Sequence, residues 1–290
     1  LKLGLSSPNI ILSSNRCNAL GFETNENCSF IINSAWAKDD ILNLVFSKKE
    51  NLNLDFNTLV PEKNEVFTCC LNILKKAELL PTAITTIVSN VNIENINTWA
   101  SKNNLIYIDT KDFKKHLLNT VNDLEIVAKT HLPIKYTNDC DFILFRSKNN
   151  FYEYFCLLFG VARNVEKNNK IDFVPTVRVH SQCLTGDLLS SLKCDCGEQL
   201  NNSLKLLAKN GEGILIYLSQ EGRNIGLTNK LRTYNLQEQG LDTVDANLTL
   251  GFEEDERSYS PAKHILDILN INKINLVTNN PDKIKQMENL

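Results

Sequence analysis

The sequence predicts an α/β (mixed α+β) protein of two domains, each a sheet with packed helices. Three observations carry this. Short β-branched or aliphatic runs alternate with segments of helical periodicity. The texture changes near residues 125–140, from Asn- and Lys-rich segments with few turn glycines to glycine-punctuated strands and helices. Finally, 290 residues with 42% hydrophobic content suffice for two cores of ordinary size.

The first domain is expected over 1–125. In it, "NEVFTCCLNILKKAELLP" (64–81) reads as a helix, with Val66, Cys70, Ile73, Leu74 and Ala77 near helical spacing and Pro81 ending it. "TAITTIVSNV" (82–91) is β-branched and reads as a strand. "NIENINTWASKNN" follows as a short helix, "LIYID" (105–109) as a strand, and "TKDFKKHLLNTV" (110–121) as a helix with Thr110 as N-cap.

The polar "VAKTHLPIKYTNDCDF" (127–142), with Pro133, marks a boundary, and the second domain is expected over 126–290. There "FILFRS", "EYFCLLFGVA" and "VPTVRVHSQC" read as strands. "EQLNNSLKLLAKNG" is a helix with Leu200, Leu204 and Leu207 on one face and Gly211 beyond its end. "GILIYLS" (213–219) reads as a buried strand, and "TNKLRTYNLQEQG" as a helix stopped by Gly240. "SPAKHILDILN" is a helix with Ser260 as N-cap and Pro261 in its first turn, and "KINLVTNNP" supplies a last strand.

A net charge of −3 gives no general field for nucleic acid, so an anionic ligand must be held by local donors. The most apolar stretch, "FYEYFCLLFGVA" (151–162), is too short and interrupted to span a bilayer, and no leader pattern stands at the start. The chain therefore reads as cytoplasmic, where thiols stay reduced. An odd count of nine cysteines also fits a disulfide framework poorly. The chain opens at Leu1, holds Met287 as its one methionine and stops at "KQMENL", so it reads as a piece lacking both ends.

Three of the cysteines gather in "SQCLTGDLLSSLKCDCGEQL" (181–200). Cys194 and Cys196 can reach one ion from a single loop, and Cys183 can supply a third thiolate, a donor set that suits zinc. Two closures stand open. His180 would complete a structural Cys3His site; yet in a strand over 176–182, residues 180 and 183 project to opposite faces unless a turn intervenes. Otherwise the fourth position is left to water, as in a catalytic site.

In "SQEGRNIGLTNK" (219–230), Gly222, Gly226, Arg223 and a helix start form either a phosphate cradle or an ordinary turn with a surface arginine. The run Glu253, Glu254, Asp255, Glu256 and Arg257 is either a solvated loop or the source of a base beside a metal-bound water.

With "RVHSQCLTGD", "LKCDCGEQL", "QEGRNIGLTNKLRTYNLQEQGLDTVDAN" and "LGFEEDER" in order, residues 126–290 resemble GTP cyclohydrolase II. The resemblance implies one zinc ion per chain on Cys183, Cys194 and Cys196, with water fourth. It implies GTP contacts at Arg178, Val179, His180, Ser181, Gln182, Gln199, Glu221, Gly222, Arg223, Thr243, Thr278 and Lys283. By the same likeness Asp255 is the proton acceptor, Arg257 the nucleophile toward the α-phosphate, and Tyr234 a positioning tyrosine. The implied reaction opens the guanine imidazole ring, releasing formate, and separately releases pyrophosphate with magnesium on the triphosphate. The implied assembly is a homodimer, with neither nucleic acid nor membrane as partner. In two places the sequence departs from the family. "LPIKYTNDCDF" is longer than the corresponding family segment and lacks its glycine, and little chain follows Lys283.

"ILSSNRCNALGF", "FTCCLNILKKAELLPTAITTIV" and "NTWASKNNLIYIDTKDF" resemble, more faintly, part of 3,4-dihydroxy-2-butanone 4-phosphate synthase. That family's magnesium-binding segment falls on Phe67, Thr68 and Cys69, which replace its hard ligands poorly. A synthase-like domain without synthase activity is the expectation. The alternatives are a bifunctional enzyme with residual synthase activity and a catalytically decayed zinc-stabilised module.

Overall fold

The computed structural model describes residues 7–47, 60–61, 64–89, 91–119, 123–148, 152–164 and 174–289. In chain order its elements begin with β1 (Asn9–Leu12), α1 (Ser14–Ala19), β2 (Cys28–Ile31), α2 (Lys38–Phe46), β3 (Val60–Pro61), α3 (Glu65–Lys76), β4 (Thr82–Thr85), α4 (Ile96–Lys102) and α5 (Thr110–Asn119). They continue with β5 (Leu124–His131), β6 (Cys140–Ser147), β7 (Glu153–Gly160), β8 (Thr176–Ser181), α6 (Leu184–Asp187), α7 (Cys196–Asn210), β9 (Glu212–Leu218) and the one-turn α8 (Glu221–Asn224). The last are α9 (Leu227–Glu238), α10 (Thr243–Thr249), α11 (Ser260–Ile268), β10 (Asn275–Leu276) and α12 (Pro281–Glu288). This is the expected mixed α/β architecture with two sheets.

The compact units of the structure are not single stretches of chain. One compact unit joins Leu1–His116 with Ile225–Glu256, and the other joins Leu117–Asn224 with Arg257–Leu290. Residues 125 and 126 lie inside β5, paired with β6. The segment 225–256 goes with the first unit because Ile225, Leu236, Ala246, Leu250 and Phe252 bury their apolar surface with Phe46 and Leu80.

The first unit holds an antiparallel sheet in the order β3-β2-β1-β4. Ile10, Leu12, Cys17, Phe30 and Leu44 form its main core. Helix α1 is capped by Ser13 Oγ, which accepts from Arg16 N. Arg16 itself is buried, and its guanidinium donates to the carbonyls of Asn43, Leu44, Ser47 and Thr249. Burial lowers its pKa to about 10. A shift of that size costs on the order of 3 kcal/mol. Charge-assisted bonds at about 1.5–3 kcal/mol each outweigh it.

Several expected elements shift. Helix α3 is capped by Asn64 and stops at Lys76, before Pro81, because Glu78 turns left-handed (φ 56°) and Leu79 N reaches back to Leu74 O. The strand expected over 82–91 is continuous over Thr82–Thr85, with an isolated bridge at Val88, and residue 90 lies outside the described residues. "LIYID" (105–109) is no strand; it has no ladder partner among the described residues, and Ile106 is 92% exposed. Asp109, not Thr110, caps α5, its Oδ1 accepting from Lys111 N at 2.7 Å. Residues 120–121 of that expected helix, residue 151 of the apolar stretch and the chain start at Leu1 lie outside the described residues.

The second unit is built on a six-stranded mixed sheet, order β10-β8-β9-β7-β6-β5. Strands β5, β6, β7 and β9 run antiparallel in turn, while β8 is parallel to both β9 and β10. Alternation along each strand divides the side chains between two faces. One face, with Val177, Val179, Ile214 and Ile216, packs on Ala262, Ile265 and Leu266 of α11. The other, with Phe155, Leu157, Leu215 and Tyr217, packs on Leu200, Leu204 and Leu207 of α7. The N-cap of α11 is Tyr259, one residue before the expected Ser260, with Pro261 in the first turn as anticipated.

Candidate metal centre

Strand β8 ends at Ser181, and the chain turns so that Cys183 caps the one-turn helix α6. Cys194 and Cys196 lie at the start of α7. Their ligand atoms and that of Cys183 all fall within 4.8 Å of one another. Cys183 Sγ and Cys194 Sγ are 3.5 Å apart, and Gly186 N donates to Cys183 Sγ at 3.3 Å.

Two glycines make this convergence possible. A Cβ on Gly186 would lie 3.0 Å from Cys183 Sγ, Cys194 Sγ and Cys196 Cβ alike, and one on Gly197 would overlap the Gly186 carbonyl. The α6 turn and the start of α7 thus meet backbone to backbone, which brings the thiols to one point. The hydrogen bond with Cys183 first, then burial and the two neighbouring sulfurs, pushes the Cys196 thiol up. A thiol so placed resists shedding its proton unless a cation compensates, and a compact all-thiol donor set fits zinc.

His180 does not join the cysteines. Its Nε2 lies 3.0 and 3.2 Å from the two carboxylate oxygens of Asp187. Asp187 also accepts from Tyr217 Oη at 2.8 Å and from Cys183 N at 3.0 Å. Burial opposes its charged form, but the His180 bond and charge, with Tyr217 and Cys183 N, prevail and hold the carboxyl below the usual range. The same burial and bond push Tyr217 upward. Asp187 therefore links the histidine of β8 to the backbone of the first thiol. Sequence reasoning missed it; its only signal was an acid four residues after Cys183 in "CLTGD".

The α7-facing side of β8 carries Arg178 and His180, with Val177 and Val179 on the opposite side in the α11 core. Arg178 Nη2 donates to Gln199 Oε1 at 2.8 Å and Nη1 to Val277 O at 3.1 Å. Its buried Nε has no partner among the described residues, and burial lowers its pKa. Lys283 is buried; its Nζ donates to Val179 O at 3.0 Å and lies 5.1 Å from the Tyr259 ring centre. The Arg257 guanidinium lies 6.0 Å from the same ring centre. Ser181 Oγ donates to Gln220 Oε1. Gln182 N joins Leu218 O, and Thr278 Oγ1 accepts from Asn280 N.

In α8, Gly222, Arg223 and Asn224 all take left-handed conformations (φ 63°, 60° and 72°). For the two non-glycine residues this costs about 1–3 kcal/mol each. Glu221 steadies the turn: its buried carboxylate accepts from Leu184 N at 2.7 Å and Gly222 N at 3.1 Å, tying α8 to the loop of Cys183.

The second unit thus brings together the three cysteines, Arg178, His180, Gln199, Glu221 and Lys283. Tyr234, Thr243 and Asp255 belong to the first unit. There Lys230 Nζ sits 5.8 Å from the Tyr234 ring centre, Thr243 Oγ1 accepts from Gln237 Nε2, and Asp255 is exposed.

The family model for GTP cyclohydrolase II matches residues 125–290. A GTP cyclohydrolase-2 of Azospirillum brasilense is 38% identical over 221 residues, 76% of this chain and 55% of that protein. Riboflavin biosynthesis protein RibBA of Staphylococcus saprophyticus is 40% identical over 193 residues, 67% of this chain and 46% of that protein. The chain spans about half the length of these two. A GTP cyclohydrolase-2 of Buchnera aphidicola is 46% identical over 167 residues, 57% of this chain and 80% of that protein. Among solved structures, RibBX, a two-domain 3,4-dihydroxy-2-butanone 4-phosphate synthase from A. baumannii, aligns over 94% of this chain and 79% of its own at 14% identity. Its TM-score is 0.32. By the reach of the family model and the identity of these relatives, the chain belongs to the GTP cyclohydrolase II family.

Proposed function

We propose that this chain hydrolyses GTP with zinc, opening the imidazole ring of guanine and releasing formate and pyrophosphate. The organic product is then 2,5-diamino-6-(5-phosphoribosylamino)pyrimidin-4(3H)-one, the first committed intermediate of riboflavin biosynthesis. The observation that carries this reading is the three-thiol cluster, which no imidazole of the described residues joins. Cys183, Cys194 and Cys196 would hold the zinc, which when bound supplies Lewis acidity near neutral pH.

The remaining roles fall to side chains of this chain. Arg178, steadied by Gln199, offers positive charge and an unbonded Nε to the nucleotide. Arg223 and the left-handed amides of α8 suit phosphate oxygens, with magnesium on the triphosphate. Lys283 adds a second buried cation, and Val179, Ser181, Gln182, Thr243 and Thr278 complete the proposed contacts. Asp255 is assigned proton transfer, Arg257 attack on the α-phosphate, and Tyr234 positioning. The proposed setting is a homodimer in the cytoplasm.

Formate and pyrophosphate are measured with GTP as substrate. Cys194→Ser should lose both products together with its zinc, whereas Arg257→Ala should lose both while keeping zinc. Chelation should abolish release and zinc should restore it. A zinc-loaded wild-type chain that releases neither product would overturn the reading.

A further inference from the structure

The loop 251–256 follows α10 and carries Asp255, the proposed proton acceptor. Within the first unit it is anchored by residues that precede the family match altogether. Arg16 Nη1 donates to Thr249 O at 2.7 Å, and Ser13 Oγ to Gly251 O at 2.7 Å. Asn15 Nδ2 donates to Phe252 O and to Glu253 Oε2, both at 2.9 Å. Lys75 Nζ lies 2.6 Å from Glu256 Oε1 and 3.2 Å from Glu253 Oε1. The loop also braces itself, Glu253 N donating to Glu256 Oε1 at 2.9 Å and Asn247 Nδ2 to Glu254 O at 3.3 Å.

The approach is close as well as bonded. Gly251 has φ 87°, and a Cβ there would lie 2.7 Å from Ser13 Oγ, 3.1 Å from Pro81 Cγ and 3.2 Å from Arg16 Cβ. The carboxylate of Asp255 therefore sits between anchored neighbours on both sides. Lys75 is only 17% exposed at its side chain and Glu256 18%, so water screens their pairing little.

We infer that the N-terminal segment is a support for the proposed active-site loop, with Asn15 and Lys75 as positioning residues and Arg16 and Ser13 beneath them. This rests on the reading of Asp255 given above. A loop released from these anchors spreads its carboxylate over several positions, and a misplacement of about 1 Å can cost on the order of 100-fold in rate. The synthase-like residues would thus serve the neighbouring chemistry rather than one of their own.

The test uses the full zinc-loaded chain with Asn15→Ala, Lys75→Met and the conservative Lys75→Arg. Asn15→Ala and Lys75→Met should each lower kcat for formate release about tenfold, with KM for GTP and zinc content held. Amide hydrogen exchange over 251–256 should quicken in both, and Lys75→Arg should restore most of the rate and the protection. Unchanged kcat in an Asn15→Ala, Lys75→Met double variant of an active enzyme would overturn the inference while leaving the proposed reaction standing. Unchanged exchange would overturn it too. An inactive wild type would remove the proposed reaction first, and the inference with it.

Discussion

Gly186 stands where three sulfur-bearing side chains converge, and a methyl group fits among them only if they give way by a few tenths of an ångström. Gly186→Ala should therefore weaken zinc binding about 10–100-fold, the loss typical when a supporting group around a metal site is disturbed. Competition with a chelator measures this, and unchanged affinity would show that the thiols rearrange freely. The cysteines themselves were legible from spacing alone. Whether His180 joined them was not, because parity in a strand says nothing of the turn that follows. The structure answers through Asp187, which occupies the imidazole of His180 and the amide of Cys183 at once. A lone acid in a polar loop gives no hint of that in a sequence.

At the scale of elements, most helices and strands follow their periodicity, and the exceptions have local causes. Helix α3 ends early on a left-handed Glu78, and Asp109 takes the cap expected of Thr110. "LIYID" has strand composition but no neighbour to pair with among the described residues, since propensity reports only fitness for a pleated surface. The loop after α10 is an element whose anchoring can be titrated. Burial works against the charge of Glu253, yet the Asn15 bond and the Lys75 charge and bond prevail and hold its carboxyl below the usual range. Since the folded pKa is depressed, this contact stabilises the loop above the ordinary carboxylate value and is lost as pH falls through the folded one. An NMR titration should place Glu253 below the ordinary glutamate value, with Asn15 and Lys75 facing it and Glu256 beside it. In Lys75→Met the midpoint should rise toward that value.

At the scale of the whole molecule, composition and texture indicated two bodies but not their membership. The apolar face of 225–252 announces that something covers it, and periodicity cannot say what. Here the cover is Phe46 and Leu80 of the N-terminal segment. By the inference above, that segment supports the loop. On the synthase resemblance, Phe67 and buried Cys69 would stand where hard ligands are needed, while the Thr68 hydroxyl is engaged with Asn64 O and Asn27 Nδ2. The full chain is expected to form no dihydroxybutanone phosphate from ribulose 5-phosphate. Detectable product would restore the bifunctional alternative.

Strand β8, second from the edge of the six-stranded sheet, also imposes an order of assembly. Its outer neighbour β10 comes from a segment about a hundred positions later, as do Val277, which receives Arg178 Nη1, and Lys283, which binds Val179 O. Synthesis delivers the chain from its N-terminus. A nascent polypeptide still tethered at that late stretch therefore has its three thiols before Val277 and Lys283 are added. On the proposed function, zinc capture would then precede competence for a nucleotide during translation.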